Sequence, residues 1–270
     1  MLWGEDGVDL ERGQSNSSEA HIESVSMDDG STVFAWFRAR NNGETYVIEL
    51  QRVSAEGELL WEEVQLKEEN VPFTYPYLEY AGNNQVILIY AKGTNQDLYA
   101  RKIDFDGETV WPEDTRIYRG GFGSIPIWTF IRVISDKKGG VFVGWYDDRL
   151  FTQVPSTYVA HVKSNGSIGF TGEDDGLQVG YDELNGYGPS MAYSEKEDCL
   201  YVVWRETSYS QSWQRITGQK IAMSGELLWG PNGIEICPLE QRAASYCTAQ
   251  VDPDGNRIYL CCAIACSPLF

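Results

Sequence analysis

The sequence predicts an all-β protein built from five similar four-stranded antiparallel sheets, on three observations. A phrase in which glycine precedes an aromatic residue by four positions returns at Gly57 and Trp61, Gly107 and Trp111, Gly166 and Phe170, and Gly225 and Trp229. With Trp3 included, the aromatic positions lie 58, 50, 59 and 59 residues apart, a period that must be explained before any single residue. Ahead of each phrase runs an apolar, β-branched stretch of the kind that forms strands buried on both faces, and 27 glycines are available for turns.

Each unit opens with a weak strand: "HIESVSM", "YPYLEYA", "FIRVIS", "PSMAYS" and "YCTAQVD". The second strand is the most apolar, as "TVFAWFRA", "QVILIYAK", "GVFVGWYD", "LYVVWRET" and "RIYLCCAI", with Trp36, Tyr90, Trp145, Trp204 and Cys262 in equivalent places. The third carries Val53, Ile103, Val162 or Ile221 four residues before the glycine, and Arg52, Lys102, His161 or Lys220 one residue earlier. Neighbouring strand positions face opposite ways, so the first column is expected buried and the second solvated. The glycine closes a short hairpin turn, and the aromatic leads into the fourth strand.

A sheet of four short strands in about 55 residues cannot cover both its faces alone; packing successive sheets radially does so. The expected architecture is therefore a five-bladed β-propeller forming one domain over residues 1–270. Its approximate units are 20–66, 73–118, 128–179, 188–236 and 244–270, and residues 1–10 are expected to close the ring by pairing in the last blade. The recurring Trp61, Trp111 and Trp229 are expected to pack between units.

Bulk properties exclude several roles. A net charge of -19 repels phosphate backbones and anionic lipid, so no nucleic-acid partner is expected. No apolar run approaches the roughly 20 residues of a membrane span, and "MLWGEDGVDL" has no signal-peptide pattern. Membrane insertion is not expected, and the chain is expected to be a monomer. Six cysteines without a CxxC pair, and two histidines in different strand columns (His21 and His161), offer no zinc site or nucleophilic triad. No cofactor or metal is expected.

The succession "SDKKGGVFVGWYDDR", "TYVAHVKSNG" and "LLWGPNGIEI" resembles the repeats of bacterial secreted or cell-surface β-propeller proteins familiar from Bacteroidetes. Gly139 to Arg149 keeps the first part of that pattern best, and Phe170 replaces the tryptophan of the third. The resemblance implies an extracellular or cell-envelope location and a binding or scaffold role without shared catalytic residues.

Function belongs where units differ, in the loops joining the second strand to the third and one unit to the next. There the candidate binding residues are Tyr75, Trp128, Asp148, Arg149, Tyr187, Arg205, Glu206 and Trp213, with Tyr181 and Tyr209 nearby. Flat aromatics beside carboxylates and arginines suit glycan or protein-segment recognition. The leading expectation is thus a non-catalytic binding or interaction module for a glycan or protein ligand. The alternative is a glycoside hydrolase using inner-strand carboxylates, for which Glu23 and Glu79 occupy similar places. A structural spacer of a cell-surface protein is the third reading.

Overall fold

The computed structural model describes residues 3, 7–10, 18–40, 45–62, 64–119, 131–149, 155–170, 176–180, 184–240, 243–252 and 257–265, and every regular element among them is a β-strand. The first sheet is β1 (Ser18–Ser26), β2 (Thr32–Arg40), β3 (Thr45–Val53) and β4 (Val64–Leu66). The second is β5 (Phe73–Tyr80), β6 (Val86–Lys92), β7 (Asp97–Ile103) and β8 (Thr115–Tyr118). The third is β9 (Arg132–Ser135), β10 (Val141–Asp147), β11 (Ser156–Val162) and β12 (Leu177–Gln178). The fourth is β13 (Asn185–Ser194), β14 (Cys199–Thr207), β15 (Gln214–Ala222) and β16 (Ile234–Glu240), and β17 (Ala243–Val251) pairs with β18 (Ile258–Ala265).

Four sheets of four strands thus follow chain order, as expected from the repeat. The first, second and fourth are antiparallel throughout.

The chain forms two compact units. One holds Met1–Arg119 with Lys137–Val141 and Lys163–Ser167; the other holds Gly120–Asp136, Phe142–Val162 and Ile168–Phe270. In the first, Val33, Leu50, Trp61, Leu88, Tyr90 and Ile103 belong to one core. In the second, Phe142, Val159, Phe170, Leu200 and Trp204 do the same. The apolar column is buried as expected: Val53, Ile103, Val162 and Ile221 are at most 1% exposed.

The glycine-aromatic phrase has a definite physical cause. Gly57, Gly107, Gly166 and Gly225 sit at φ of 95°, 91°, 86° and 91°, a left-handed conformation that a side chain would strain. Each turn also leaves no room for a side chain. A Cβ on Gly107 would lie 3.3 Å from the Trp61 ring, one on Gly57 3.3 Å from Trp3, and one on Gly166 3.0 Å from Trp111.

The tryptophan of one phrase therefore lies on the glycine turn of the next. Its indole N–H then donates to a turn carbonyl: Trp3 to Ala55 at 3.0 Å, Trp61 to Phe105 at 2.9 Å and Trp111 to Ser164 at 3.0 Å. The Phe170 ring has no N–H to donate; the residue meets the Gly225 turn through its backbone carbonyl, which a Cβ there would approach to 3.0 Å. Trp229 differs again, packing edge-on against Tyr201 of its own sheet at 5.6 Å.

The basic column departs from expectation. Arg52, Lys102 and His161 are buried, because turns cover them and supply their partners. Arg52 pairs with Asp29 at 2.5 Å, donates to the Phe105 carbonyl at 2.9 Å and lies 3.5 Å from the centroid of the Phe105 ring. Lys102 donates to the carbonyl of Gly139 at 2.9 Å, and His161 Nε2 lies 2.9 Å from Asp136 Oδ2. Alternation along a strand states which way a side chain points; it does not state whether another segment lies over it.

Candidate functional site

The tight turns occupy one end of each sheet. At the opposite end, β2, β6, β10 and β14 finish, and the first strands begin. There the first strands carry bulges, between Ala20 and Glu23, Thr74 and Tyr77, Tyr187 and Ser190, and Ala244 and Tyr246. A bulge re-aims side chains and breaks the alternation that a strand would otherwise impose. At three of the four the chain turns left-handed, at His21 (φ 54°), Tyr75 (φ 53°) and Gly188 (φ 57°). Glycine accepts this conformation freely, whereas histidine and tyrosine hold it at a cost on the order of 1–3 kcal/mol each.

In the first unit these two strained residues meet. The His21 ring lies 5.8 Å from Tyr75 and 4.7 Å from Tyr77, both edge-on. Tyr75 also packs against Phe37 at 5.6 Å, and Phe37 against Tyr46 at 6.0 Å. His21 Nε2 is buried, makes no hydrogen bond and stands 3.6 Å from Glu23 Oε1. Burial pushes the His21 imidazole below its ordinary value, opposed in part by a hydrogen bond to the Pro76 carbonyl. Burial likewise raises the Tyr75 phenol. The group therefore presents a neutral imidazole and a carboxylate beside a wall of aromatic rings.

The strand register also corrects the pairing of Glu23 with Glu79. The first residue paired after the bulge is Glu23 in β1 and Tyr77 in β5, so Tyr77 is the counterpart of Glu23. Glu79 stands two positions further along, about 6.6 Å down the strand.

In the second unit a different group forms. Tyr187 and Arg205 are cross-strand partners, with the guanidinium 5.3 Å from the centre of the phenol ring, and Tyr146 meets Tyr187 edge-on at 5.1 Å. Burial raises the Tyr187 phenol, against the neighbouring Arg205 charge. Trp213 is 44% exposed in the β14–β15 loop, where Tyr209 is more exposed still.

Arg149 and Glu206 are engaged within the protein. Trp145 donates its indole N–H to Asp147 at 2.9 Å, and Arg149 grips the same carboxylate at 2.9 and 2.6 Å while lying 3.7 Å from the centroid of the Tyr158 ring. Glu206 is buried and accepts from Trp204 at 2.9 Å, Arg215 at 2.5 Å and Thr217 at 2.7 Å. The W-x-D-x-R pattern is thus a clasp that fixes the end of the second strand. Asp148 is exposed beside it. Trp128 and Tyr181 lie outside the described residues. Among the described residues, no group of three or more His, Cys, Asp or Glu side chains is placed to hold a metal ion.

The structure thus brings Tyr187 together with Arg205, and Tyr75 together with His21. His21, Tyr146, Asn185 and Thr207 were not singled out by sequence for binding.

No protein-family model matches the chain, and neither does any curated protein. Among solved structures it is similar to an α-L-arabinanase of Penicillium chrysogenum complexed with arabinobiose, at 13% identity and a TM-score of 0.54, over 90% of this chain and 74% of that one. A GH93 α-L-arabinofuranosidase of Fusarium graminearum, also with arabinobiose, matches at 10% identity and a TM-score of 0.52 over the same shares, 90% and 74%. A protein of unknown function from Dyadobacter fermentans matches at 12% identity and a TM-score of 0.51, again over 90% and 74%.

At such identities the likeness shows the fold, which is of the β-propeller type. It also corrects the leading expectation of a non-catalytic binding or interaction module. Two of the three named structures that share this fold are hydrolases, an arabinanase and an arabinofuranosidase, and they favour the stated alternative over the non-catalytic reading. Sequence pointed the other way because a repeat records how sheets pack and carries no information about what their irregular ends do.

Proposed function

We propose that the chain is a glycoside hydrolase acting on arabinose-containing oligosaccharides. The observation that carries this reading is the fold likeness to an arabinanase over 90% of the chain. Supporting it is Glu23, a half-exposed carboxylate on a first strand, 3.6 Å from the His21 imidazole, which itself packs against Tyr75 and Tyr77. Hydrolysis of a glycosidic bond needs one carboxyl group to protonate the leaving oxygen and a second to attack or to activate water. Glu23 is assigned to one of these roles, with His21 as its neighbour. Tyr75 and Tyr77 stack on the sugar, supplying apolar contact to its C–H faces.

The remaining candidates belong to the same proposal. Within the second unit taken by itself, Asp148, Tyr187, Arg205 and Trp213 are the candidate glycan contacts, and Arg149 and Glu206 hold the strand ends beside them. Five blades close into one ring through the N-terminal segment, in the manner of bacterial secreted or cell-surface repeats, and the enzyme works outside the cell on a glycan.

Linear arabino-oligosaccharides are the test. Wild type is expected to release arabinose or short arabinosides, and Glu23→Gln to lose at least about 100-fold in kcat, the scale of a removed acid or base. Absence of product from wild type across α-linked arabino-oligosaccharides would remove the hydrolase reading. Full activity in Glu23→Gln would remove Glu23 from it.

A further inference from the structure

We propose that Cys247 and Cys262 are a site of oxidative modification: under oxidising conditions they join in a disulfide that staples β17 to β18.

Strand register sets the two positions opposite one another. From Tyr246 to Val251 the pairing of β17 with β18 runs without a break, and within it Cys247 is the partner of Cys262. The other cysteines of the described strands have no such partner. Cys199 is paired with Ser194 and Ala222, Cys237 with Ile216 and Cys261 with Thr248.

Opposite positions on antiparallel strands alternate between pairs that exchange both backbone hydrogen bonds and pairs that exchange neither, and side chains stand closer in the second kind. The backbone bonds of this hairpin show which kind holds the cysteines. The Asp252 N–H donates to the Arg257 carbonyl at 3.0 Å, so that pair, next after Val251 and Ile258, is of the bonded kind. Counting back along the unbroken register makes Gln250 and Thr248 bonded, and Val251, Ala249 and Cys247 non-bonded. Ala249 supports the count independently, because its N–H donates away from β18, to Ser190 Oγ at 3.1 Å. The Cα atoms of such a pair lie about 4.5 Å apart, inside the window of roughly 4.4–6.8 Å that a disulfide spans.

Cys247 is a half-buried thiol that donates to the carbonyls of Gly188 at 3.7 Å and Val203 at 3.6 Å. A thiol is a weak donor, so these contacts do little to oppose its oxidation. The hairpin also has the most to gain from a cross-link. Among the described residues β17 and β18 form a sheet of two strands, where the other sheets have four, and two strands alone are marginally stable. A disulfide between them limits the freedom of the unfolded chain. Such bonds persist in oxidising surroundings, the kind met outside the cell. With oxidised glutathione as the oxidant, one cysteine thiolate attacks a glutathione sulfur, releasing one glutathione and leaving a mixed disulfide. The second cysteine thiolate then displaces the other glutathione, so the two protein thiols lose their protons and two electrons, and two glutathione thiols form.

The test incubates the intact, reduced protein with oxidised glutathione, blocks remaining thiols by alkylation and maps the tryptic peptides by mass spectrometry. Cleavage after Arg242 and Arg257 puts Cys247 on one peptide (243–257) and Cys261, Cys262 and Cys266 on another (258–270). The two peptides are expected to be linked, with fragmentation placing the bond at Cys262. Cys261→Ser keeps the link and Cys262→Ser loses it. The oxidised protein is expected to melt at least about 3 °C above the dithiothreitol-reduced protein, a difference that vanishes in Cys262→Ser. Cys247 left open to alkylation or ending as a glutathione adduct, or a bond placed at Cys261 or Cys266, would overturn the proposal. A bond that forms without raising the melting temperature would overturn its role as a staple. Fragmentation of the wild-type peptides does not depend on any variant folding. Neither readout involves a glycoside, so a failure of the hydrolase reading leaves both readable.

Discussion

The two ends of each sheet obey different rules. At the turn end one contact is repeated: Trp3, Trp61 and Trp111 each cover the glycine of the next turn and donate to its carbonyl. At the loop end the equivalent positions hold Arg38 and Glu49 in one sheet, Lys92 in the next, Asp147 and Arg149 in the third, and Glu206 and Arg215 in the fourth. Repetition marks a shared structural need, here the seating of a tryptophan on the following glycine turn. Departure from repetition marks what a single sheet does, and it is there that strained His21 and Tyr75 are found.

The contrast is broken or sharpened most by comparing tryptophans from the two ends. Trp61→Ala removes a buried ring and its hydrogen bond together and is expected to cost roughly 3–5 kcal/mol in denaturant unfolding. Trp61→Phe keeps most of the packing and loses only the N–H donation to Phe105, so about 1 kcal/mol is expected. A loss as large as that of the alanine variant would mean that the hydrogen bond, rather than burial, does the locking. Trp213→Ala, in an exposed loop, is expected to change stability by less than about 0.5 kcal/mol while weakening sugar binding.

The smallest effect concerns His21. Its imidazole is held below the ordinary value of 6.5, so as pH falls through that value the unfolded chain takes up a proton before the folded one does. Stability contributed by the neutral ring is present above that pH and is lost below it. Melting curves between pH 7.5 and 5, interpreted with about 6.5 as the upper edge of the window, are expected to be steeper for wild type than for His21→Gln. Parallel pH dependences would show that His21 is not held neutral by its surroundings.

The turn end was legible in the sequence because its demands are strict. A positive φ with a ring pressed against it admits little except glycine, so Gly57, Gly107, Gly166 and Gly225 stand out by position. Burial of Arg52, Lys102 and His161 was not legible, since the segments that cover them come from other turns.

The loop end was harder for a specific reason. Glu23 and Glu79 drew notice as acids in first strands, but the 54 residues from Trp36 to Tyr90 carry Glu23 to Tyr77, and the matching bulges keep that register. Arg149 and Glu206 drew notice as charges near aromatic residues, yet they are spent on Asp147, Trp204 and Thr217. Asn185 and Thr207 carried no signal, because they come together with Tyr187 only once the strands have paired.

The most direct test of the division between the two ends measures unfolding and arabino-oligosaccharide turnover on the same preparations of Glu23→Gln and Trp61→Phe. The account predicts opposite losses: Glu23→Gln keeps wild-type stability within about 0.5 kcal/mol and loses turnover, while Trp61→Phe loses about 1 kcal/mol and keeps its turnover. Turnover intact in Glu23→Gln, or abolished in folded Trp61→Phe, would contradict it.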